Sequence, residues 1–368
     1  MEVPVRGEAP RQANIMLAIT PEQLVPHDHP IRRVKPIVDE ALTELSPLFE
    51  QIYSRVGRPS IPPEHLLKAQ LLMALFSVPS ARRFCDQLQY NMLFKWFLDL
   101  NVDDRAFDAS TFSKNQERLL QHDIARQLLL RIVEQARRRQ LLSAEHFTVD
   151  GTQLDAWASL KSVRPKDDGA GGPRGSGRNP NVDYKGQRRT NDTHVSKTDP
   201  DAKLVRKSNG EAAKPRYAGH VVMENRNGLV VDVALTKTVG MTEWTAALAM
   251  LAKLPPGAKT VGADKAYDNK AFIAGCRKLG ITPHVAQFPH TVHRWSQIDG
   301  RTTRHGGYAV SQRVRKRVEE IFGWWKTVAG GRKLRYVGVP RNRLYAEIVM
   351  SAYNLVRIAS IERQRSSA

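Results

Sequence analysis

A change of pattern near residue 146 is the feature that most constrains the fold. Before it, apolar residues recur at helical spacing, and after it short β-rich runs alternate with helices. "HFTVDGTQLDAW" predicts a strand that ends on Asp150 and Gly151, and "YAGHVVMENRNGLVVDVAL" predicts two strands joined by the turn "NRNG". A helix, the strand "KTVGADKAYD", a helix, the strand "TPHVAQ" and two more helices follow. This order predicts an α/β fold in which helices pack on a mixed sheet.

The first part of the chain, residues 1–143, is predicted to be helical, and the sheet domain occupies residues 144–360. "SIPPEHLLKAQLLMALF" begins a helix after Ser60, Pro79 and Ser80 interrupt the pattern, and Ser110 is a candidate N-cap. The helix after it is predicted to be long and to end near Leu142. Short helices with basic edges are typical of a DNA-binding and dimerisation domain, although a helical bundle without a partner fits the same pattern.

Residues 161–215 interrupt the sheet domain. The segment is rich in Gly, Pro, Asn, Asp, Lys and Arg and has little apolar surface to bury. Such a composition predicts a long, mobile, basic insertion. Its charge makes it a candidate for DNA contact.

The charge balance points to a polyanionic partner. The chain has 57 Lys and Arg against 37 Asp and Glu, a formal net charge of +20, which favours nucleic acid ahead of an anionic membrane. No apolar run approaches the length of a membrane span, and the N-terminus lacks the apolar core of a signal peptide. The two cysteines, Cys85 and Cys276, form no zinc or disulfide framework. We therefore expect a cytoplasmic protein whose metal ligands, if any, are carboxylates or histidines.

The helix "RVRKRVEEIFGWWK" carries two adjacent glutamates, of which one is the better candidate for a site. An α-helix turns about 100° per residue, and five apolar residues therefore share one core-facing arc. These residues are Val314, Val318, Ile321, Phe322 and Trp325. Glu319 lies on the flank of this arc with Arg315 and Lys326. Glu320 points away and has the spacing of a surface ion pair with Lys316.

Asp150 and Asp264 each end a β-rich run, and sheets of this kind build their sites at strand ends. With Glu319 they would supply hard oxygen ligands, which suit Mg²⁺. One or two such ions can activate a nucleophile and stabilise the leaving oxygen in phosphodiester transfer. Spacing alone is a weak signal, because acids end many strands and because Glu319 is also placed for an ion pair with Arg315.

Four stretches of the sequence resemble the DDE transposases of bacterial insertion sequences, in the broad insertion-sequence-4 and -5-like group. "GRPSIPPEHLLKAQLLMALFSVPSARRFCDQLQYNMLFKWFLDL", with "DASTFSKNQERL", is similar to the helical N-terminal domain of that group. "TVDGTQLDA" and "VGADKAYD" resemble its two acidic strands. "RVRKRVEEIFGWWKTVAGGRKLRY" resembles the signature Tyr, two residues, Arg, three residues, Glu, six residues, Lys. The resemblance extends from about residue 12 to residue 360.

The resemblance implies a catalytic and metal-binding triad, which falls on Asp150, Asp264 and Glu319. The signature Arg and Lys fall on Arg315 and Lys326, but the Tyr position is Gln312, so the chain departs from the family there. The implied fold is an RNase-H-like mixed sheet flanked by helices, preceded by an all-α DNA-binding domain. The implied activity is Mg²⁺-dependent DNA cleavage and strand transfer at transposon ends, with Mn²⁺ as a possible substitute. The implied partners are double-stranded DNA and further copies of the chain, in a homodimer or a larger synaptic complex at the bacterial nucleoid, with no membrane.

Basic residues surround the signature. Between residues 301 and 343, twelve Arg or Lys stand against two acids, Glu319 and Glu320. A run of this length beside the predicted acids is typical of a surface that follows a DNA backbone. The predicted DNA-binding residues are Arg315, Lys326, Lys265, Arg313, Arg332, Lys333 and Arg335. Two alternatives stay open on sequence alone: an inactive DNA-binding descendant of a transposase, and a metal-dependent nuclease without strand transfer.

Overall fold

A computed structural model describes residues 19–53, 60–166, 189–207, 211–288 and 295–366. The N-terminal helices are α1 (Pro21–Leu24), α2 (Ile31–Ile52), α3 (Pro63–Leu75), α4 (Ala81–Leu88), α5 (Met92–Phe97), α6 (Ala109–Gln121) and α7 (Ile124–Arg138). The strands are β1 (His146–Asp155), β2 (Val163–Pro165), β3 (His194–Ser196), β4 (Lys203–Val205), β5 (Lys214–Glu224), β6 (Val230–Lys237), β7 (Lys259–Ala263) and β8 (Ile281–Val285). The later helices are α8 (Glu243–Leu251), α9 (Lys270–Lys278), α10 (Gly300–Thr303), α11 (Gly306–Val314), α12 (Val318–Lys326) and α13 (Val339–Ser366).

The predicted long helix of the N-terminal part is two helices. Asp123 adopts a left-handed conformation with φ of 50° and separates α6 from α7. The predicted N-cap at Ser110 is wrong as well, because the Asp108 carboxylate accepts hydrogen bonds from the amides of Ser110 and Thr111 at 3.1 and 2.9 Å. One carboxylate that satisfies two free amides makes the stronger cap. Ser80, as the sequence predicts, restarts the helical pattern by capping α4.

The sheet has the predicted mixed topology. Its central order is β6-β5-β1-β7-β8, with β4 on the same edge of β5 as β6. β5 is antiparallel to both β1 and β6, whereas β7 and β8 run parallel to β1. The strands β1, β6, β7 and β8 therefore all end at the same edge of the sheet. The prediction of an RNase-H-like mixed sheet, flanked by helices and preceded by an all-α region, is confirmed.

The first strand is longer than the sequence predicts. It continues past Asp150 to Asp155, because its antiparallel pairing with β5 extends from Phe147 to Asp155. Its parallel pairing with β7 covers only residues 146–148. Asp150 thus lies inside a strand, just beyond the point where the parallel neighbour ends.

Part of the predicted basic insertion is ordered into strands. β2 and β3 pair with each other, and β4 pairs with the start of β5, so the prediction of one continuous loop is wrong for these parts. The segments 167–188 and 208–210 lie outside the described residues, and their predicted mobility stays a prediction.

Two apolar clusters hold the sheet and helices together. The larger one joins the N-terminal helices to α13 and to one face of the sheet, including Val221 and Met223 of β5. The smaller one lies on the other face, where Val222 packs with residues of α8 and α9. Val221, Val222 and Met223 belong to the two clusters in turn, because successive side chains of a strand point to opposite faces of the sheet. No helix in the described ranges is long and apolar enough to cross a bilayer.

Trp325 anchors α12 to the sheet, and its replacement should be costly. The side chain is fully buried, and an ideal Cβ at Gly219 of β5 would lie 2.8 Å from its ring. We expect Trp325→Ala to lower the free energy of unfolding by about 3–5 kcal/mol, measured by urea denaturation. Trp324→Ala is the control, since Trp324 is half-buried and contacts Tyr353 edge-on. Equal losses in the two variants would contradict this assignment.

Candidate active site

Asp150 and Asp264 meet at the edge where the parallel strands end. Thr148 of β1 pairs with Gly262 of β7. Continuing this register by two residues on each strand places Asp150 beside Asp264. Asp264 caps the 3₁₀ helix Lys265–Tyr267 by accepting from the Ala266 amide at 2.8 Å. The two acids predicted from separate β-rich runs are therefore neighbours.

The local electrostatics of Asp150 resemble those of a cation site. Burial, together with the neighbouring carboxylates of Asp264 and Glu243, raises the pKa of the Asp150 carboxyl to about 7. The Gly151 amide, 2.8 Å from Oδ1 of Asp150, and the Arg315 guanidinium act in the opposite direction. Like charges held together in a half-buried pocket favour either a proton or a metal cation.

Glu243, the third carboxylate of this pocket, is a residue that the sequence analysis missed. It is the first residue of α8, which follows β6. An ideal Cβ built at Gly151 would overlap the Glu243 carboxylate, so the glycine makes room for it. The strand order would have indicated this residue, because β6 ends at the same sheet edge as β1 and β7 and Glu243 begins the helix that follows β6.

The basic residues of the signature flank the acids. The α11–α12 segment crosses β7 at Gly262, where an ideal Cβ would lie 3.2 Å from Ser311 Oγ and 3.4 Å from Arg315 Cβ. At the other end of the segment, Lys326 Nζ donates to Thr152 Oγ1 at 2.5 Å. Thr152 lies two residues after Asp150 in β1, and side chains at this spacing share one face. Arg315 and Lys326 therefore approach Asp150 from the same helical segment.

Gln312, at the position of the signature Tyr, holds Arg315 in place. Its Nε2 donates to the carbonyl of His284 in β8, and its Oε1 accepts from Arg315 Nε at 2.9 Å. The nearby Tyr308 instead donates its hydroxyl to the Val285 carbonyl at 2.9 Å. A glutamine thus connects the sheet to the arginine that faces Asp150.

Gln312→Ala should weaken this support without removing any charge. We expect DNA cutting to fall about 10-fold or more, while the melting temperature changes little. Gln312→Glu keeps an acceptor for Arg315 but loses the donor to His284, so it should show a smaller defect. Cleavage rates and thermal melts of the three proteins check this prediction, and an unchanged rate in Gln312→Ala would contradict it.

Glu319 and Glu320 both lie exposed in the first turn of α12. Four residues of the predicted core-facing arc, Val318, Ile321, Phe322 and Trp325, are buried in α12. The fifth, Val314, ends α11 and is half-buried, because a 3₁₀ turn at Arg315–Arg317 interrupts the predicted single helix. In the described part of the chain, neither glutamate forms an ion pair, and no contact joins Glu319 to Asp150. The assignment of Glu319 as third ligand stays a prediction.

The remaining predicted DNA contacts fall into two groups. Lys265, Arg313, Arg332 and Lys333 are exposed, and Lys333 Nζ lies 5.1 Å from the ring centre of Trp157, which is also exposed. Arg335 differs, because its guanidinium donates to the Val78 carbonyl at 2.6 Å and to the Ala329 carbonyl at 2.9 Å. Arg335 therefore ties the N-terminal helices to the sheet domain and has less capacity left for a phosphate.

Two further acids near the site have structural partners. Asp155 accepts from Arg216 Nε at 2.7 Å. Asp268 accepts from the amides of Phe288 and Gln297 at 3.0 and 2.8 Å. Both are satisfied within the protein, which leaves Asp150, Asp264 and Glu243 as the acids of the pocket.

Two family models match separate parts of the chain. One, described as "Transposase domain (DUF772)", matches residues 19–118, and the other, described as "Transposase DDE domain", matches residues 189–355. The chain belongs to the DDE transposases. Asp264 and the α11–α12 segment of this transposase lie inside the second match, and Asp150 lies between the two.

Other comparisons are more remote. No curated protein sequence matches this transposase significantly. Among solved structures, it is similar to the piggyBac transposase synaptic complex with hairpin DNA, at 10% identity and a TM-score of 0.43, over 92% of this chain and 76% of that one. It is also similar to a pre-cleavage Mos1 transpososome, at 12% identity and a TM-score of 0.20, over 83% and 82% of the two chains.

The donor chemistry of the pocket fits a divalent metal of the kind that DDE transposases use. Its donors are carboxylate oxygens, which Mg²⁺ prefers. Among the described residues, no three His, Cys, Asp or Glu side chains are grouped closely enough to hold an ion alone. Mg²⁺ in proteins keeps several waters and binds through one or two carboxylates together with substrate phosphates.

Proposed function

We propose that this transposase binds the ends of a bacterial insertion sequence, cuts the DNA there and joins the freed ends to a target. The observation that carries the proposal is the adjacency of Asp150 and Asp264 at the sheet edge, with Arg315 and Lys326 beside them. Buried acids with unrelieved repulsion call for a cation, and two flanking cationic side chains suit a phosphate. Both belong to phosphodiester chemistry.

Each residue has a distinct task in this proposal. Asp150, Asp264 and Glu319 hold Mg²⁺, for which Mn²⁺ would substitute. When bound, the metal would lower the barrier for attack by water or a 3′-hydroxyl and stabilise the leaving oxygen. Arg315 and Lys326 neutralise the phosphate and keep it in line. The half-buried position of Asp150 excludes bulk water from one side of the pocket.

The DNA path follows from the exposed basic residues. Lys265, Arg313, Arg332 and Lys333 would contact the backbone of double-stranded DNA on either side of the pocket. The net charge of +20 supports such a partner. Because two transposon ends must be joined together, we propose a homodimer or a larger synaptic complex in the bacterial cytoplasm, at the nucleoid.

The test uses the DNA that flanks this gene in its genome, with the purified full chain and Mg²⁺. Cutting at the element ends that needs the metal, followed by joined products, is the expected result. Cutting without joined products would replace the proposal with a metal-dependent nuclease. Specific binding without cutting, in Mg²⁺ and in Mn²⁺, would reduce it to a DNA-binding protein derived from a transposase.

A further inference from the structure

We propose that Glu243 is an additional carboxylate of the metal site, accommodated by the space at Gly151 and lying next to the buried hydroxyl of Tyr267. This inference rests on the proposed function, since it extends the same site. It gives the transposase a ligand outside the three acids that its family signature identifies.

The first support is the position of Glu243 in the fold. The Thr242 hydroxyl caps α8 by accepting from the Thr245 amide at 3.4 Å. This cap fixes the first turn of α8, and Glu243 is its first residue. An ideal Cβ at Gly151 would overlap the Glu243 carboxylate, so the side chain packs directly on the backbone that follows Asp150. Glu243 therefore points into the pocket and not toward solvent.

The second support is Tyr267. Its side chain is 1% exposed, and its ring packs edge-on against Phe272 with ring centres 5.0 Å apart. Its hydroxyl approaches Glu243, but within the described residues it completes no well-formed hydrogen bond. A buried hydroxyl without a full partner is costly. The carboxylates of Glu243, Asp150 and Asp264 all lie near this buried hydroxyl.

The third support is the missing counter-charge. The carboxylates of Asp150 and Asp264 are near neighbours of Glu243. Among the described residues, no Lys or Arg forms an ion pair with Glu243, which interacts instead with the Tyr267 hydroxyl and the Gly151 amide. A half-buried carboxylate beside two others is unfavourable unless a proton or a cation neutralises it. A divalent cation between Glu243 and Asp150 would supply the counter-charge.

The test measures metal binding and not activity. Mn²⁺ is titrated into wild type, Glu243→Gln and the control Glu145→Gln by isothermal calorimetry. Glu145 is a suitable control because it is exposed and precedes the same strand, β1. We expect Glu243→Gln to bind Mn²⁺ at least 10-fold more weakly, about 1.4 kcal/mol, and Glu145→Gln to match wild type. Equal affinity in wild type and Glu243→Gln would overturn the proposal.

A second variant guards against misfolding. Gly151→Ala places a methyl group where the Glu243 carboxylate lies, so it should displace that carboxylate and also weaken Mn²⁺ binding. Thermal melts without metal come first. If Glu243 had a structural role alone, Glu243→Gln would lower the melting temperature and leave the Mn²⁺ affinity unchanged, which would overturn the inference.

The outcomes also separate this inference from the function on which it rests. Wild type that binds Mn²⁺ and cuts DNA, beside a Glu243→Gln variant of equal affinity, would refute the role of Glu243 alone. Wild type that neither binds Mn²⁺ nor cuts would refute both.

Discussion

Asp150→Asn and Asp264→Asn should each reduce DNA cutting by about 10³-fold or more, while DNA affinity stays within about twofold of wild type. The reason is that an amide at either position removes a charge from the metal site without changing the side-chain size. Both variants keep every predicted DNA-binding Lys and Arg, so the DNA should still bind. Each variant should therefore lose DNA cutting while it keeps its DNA affinity.

The measurement combines a cutting assay with a binding assay on the same DNA, each at matched salt, because phosphate contacts are sensitive to ionic strength. Glu145→Gln, at the exposed residue that precedes β1, serves as the control for removal of a negative charge near the same strand. A variant at Asp150 that cuts at the wild-type rate would exclude this residue from the metal site. Loss of DNA binding in parallel with cutting would indicate misfolding and not a catalytic defect.

Glu319→Gln should abolish cutting, whereas Glu320→Gln should reduce it less than about twofold. These neighbours have the same chemistry, and both are exposed in the structure, so the pair makes a well-matched comparison. The distinction rests on the helical wheel of the sequence, which places Glu319 on one flank with Arg315 and Lys326. These two cations approach Asp150 in the structure. We expect bound metal and DNA to draw Glu319 into the pocket.

The comparison requires only the cutting assay and thermal melts of both variants. An inactive Glu320→Gln beside an active Glu319→Gln would show that the assignment on this helix is wrong. Two active variants would show that the site cuts DNA without a carboxylate from either position. That result would strengthen the inference about Glu243 and remove Glu319 from the mechanism.

Much of the fold could be predicted from periodicity and turn residues. The hairpin was predictable because "NRNG" places a glycine where the chain needs φ of +73°, at Gly228. The buried arc of α12 was predictable because helical geometry alone sets it. The length of β1 was not predictable in this way, since it depends on pairing with β5, whose residues lie 61 to 77 positions further along the chain.

The site was predictable only in part, for the same reason. Asp150 and Asp264 stand at recognisable β-rich runs, so their residue type and position were enough to predict them as site residues. Glu243 begins an unremarkable helix, and its importance depends on the strand order that brings α8 to the same edge. Gln312 was recognised only as a departure from the signature. Its contacts with His284 and Arg315 required the three-dimensional arrangement.

The apolar cluster shared by the N-terminal helices, α13 and the sheet has a mechanical consequence. Arg335 and Ser77 reinforce it, because both donate hydrogen bonds across the boundary between the helical and sheet parts. If the N-terminal helices bind the transposon end, this shared core fixes the distance between the bases that the helices recognise and the phosphate that the sheet domain cuts. The cut would then fall at a fixed distance from the recognised bases. DNA with extra bases inserted between the recognised sequence and the normal cut site should still be bound, but the cut should move to a different phosphate.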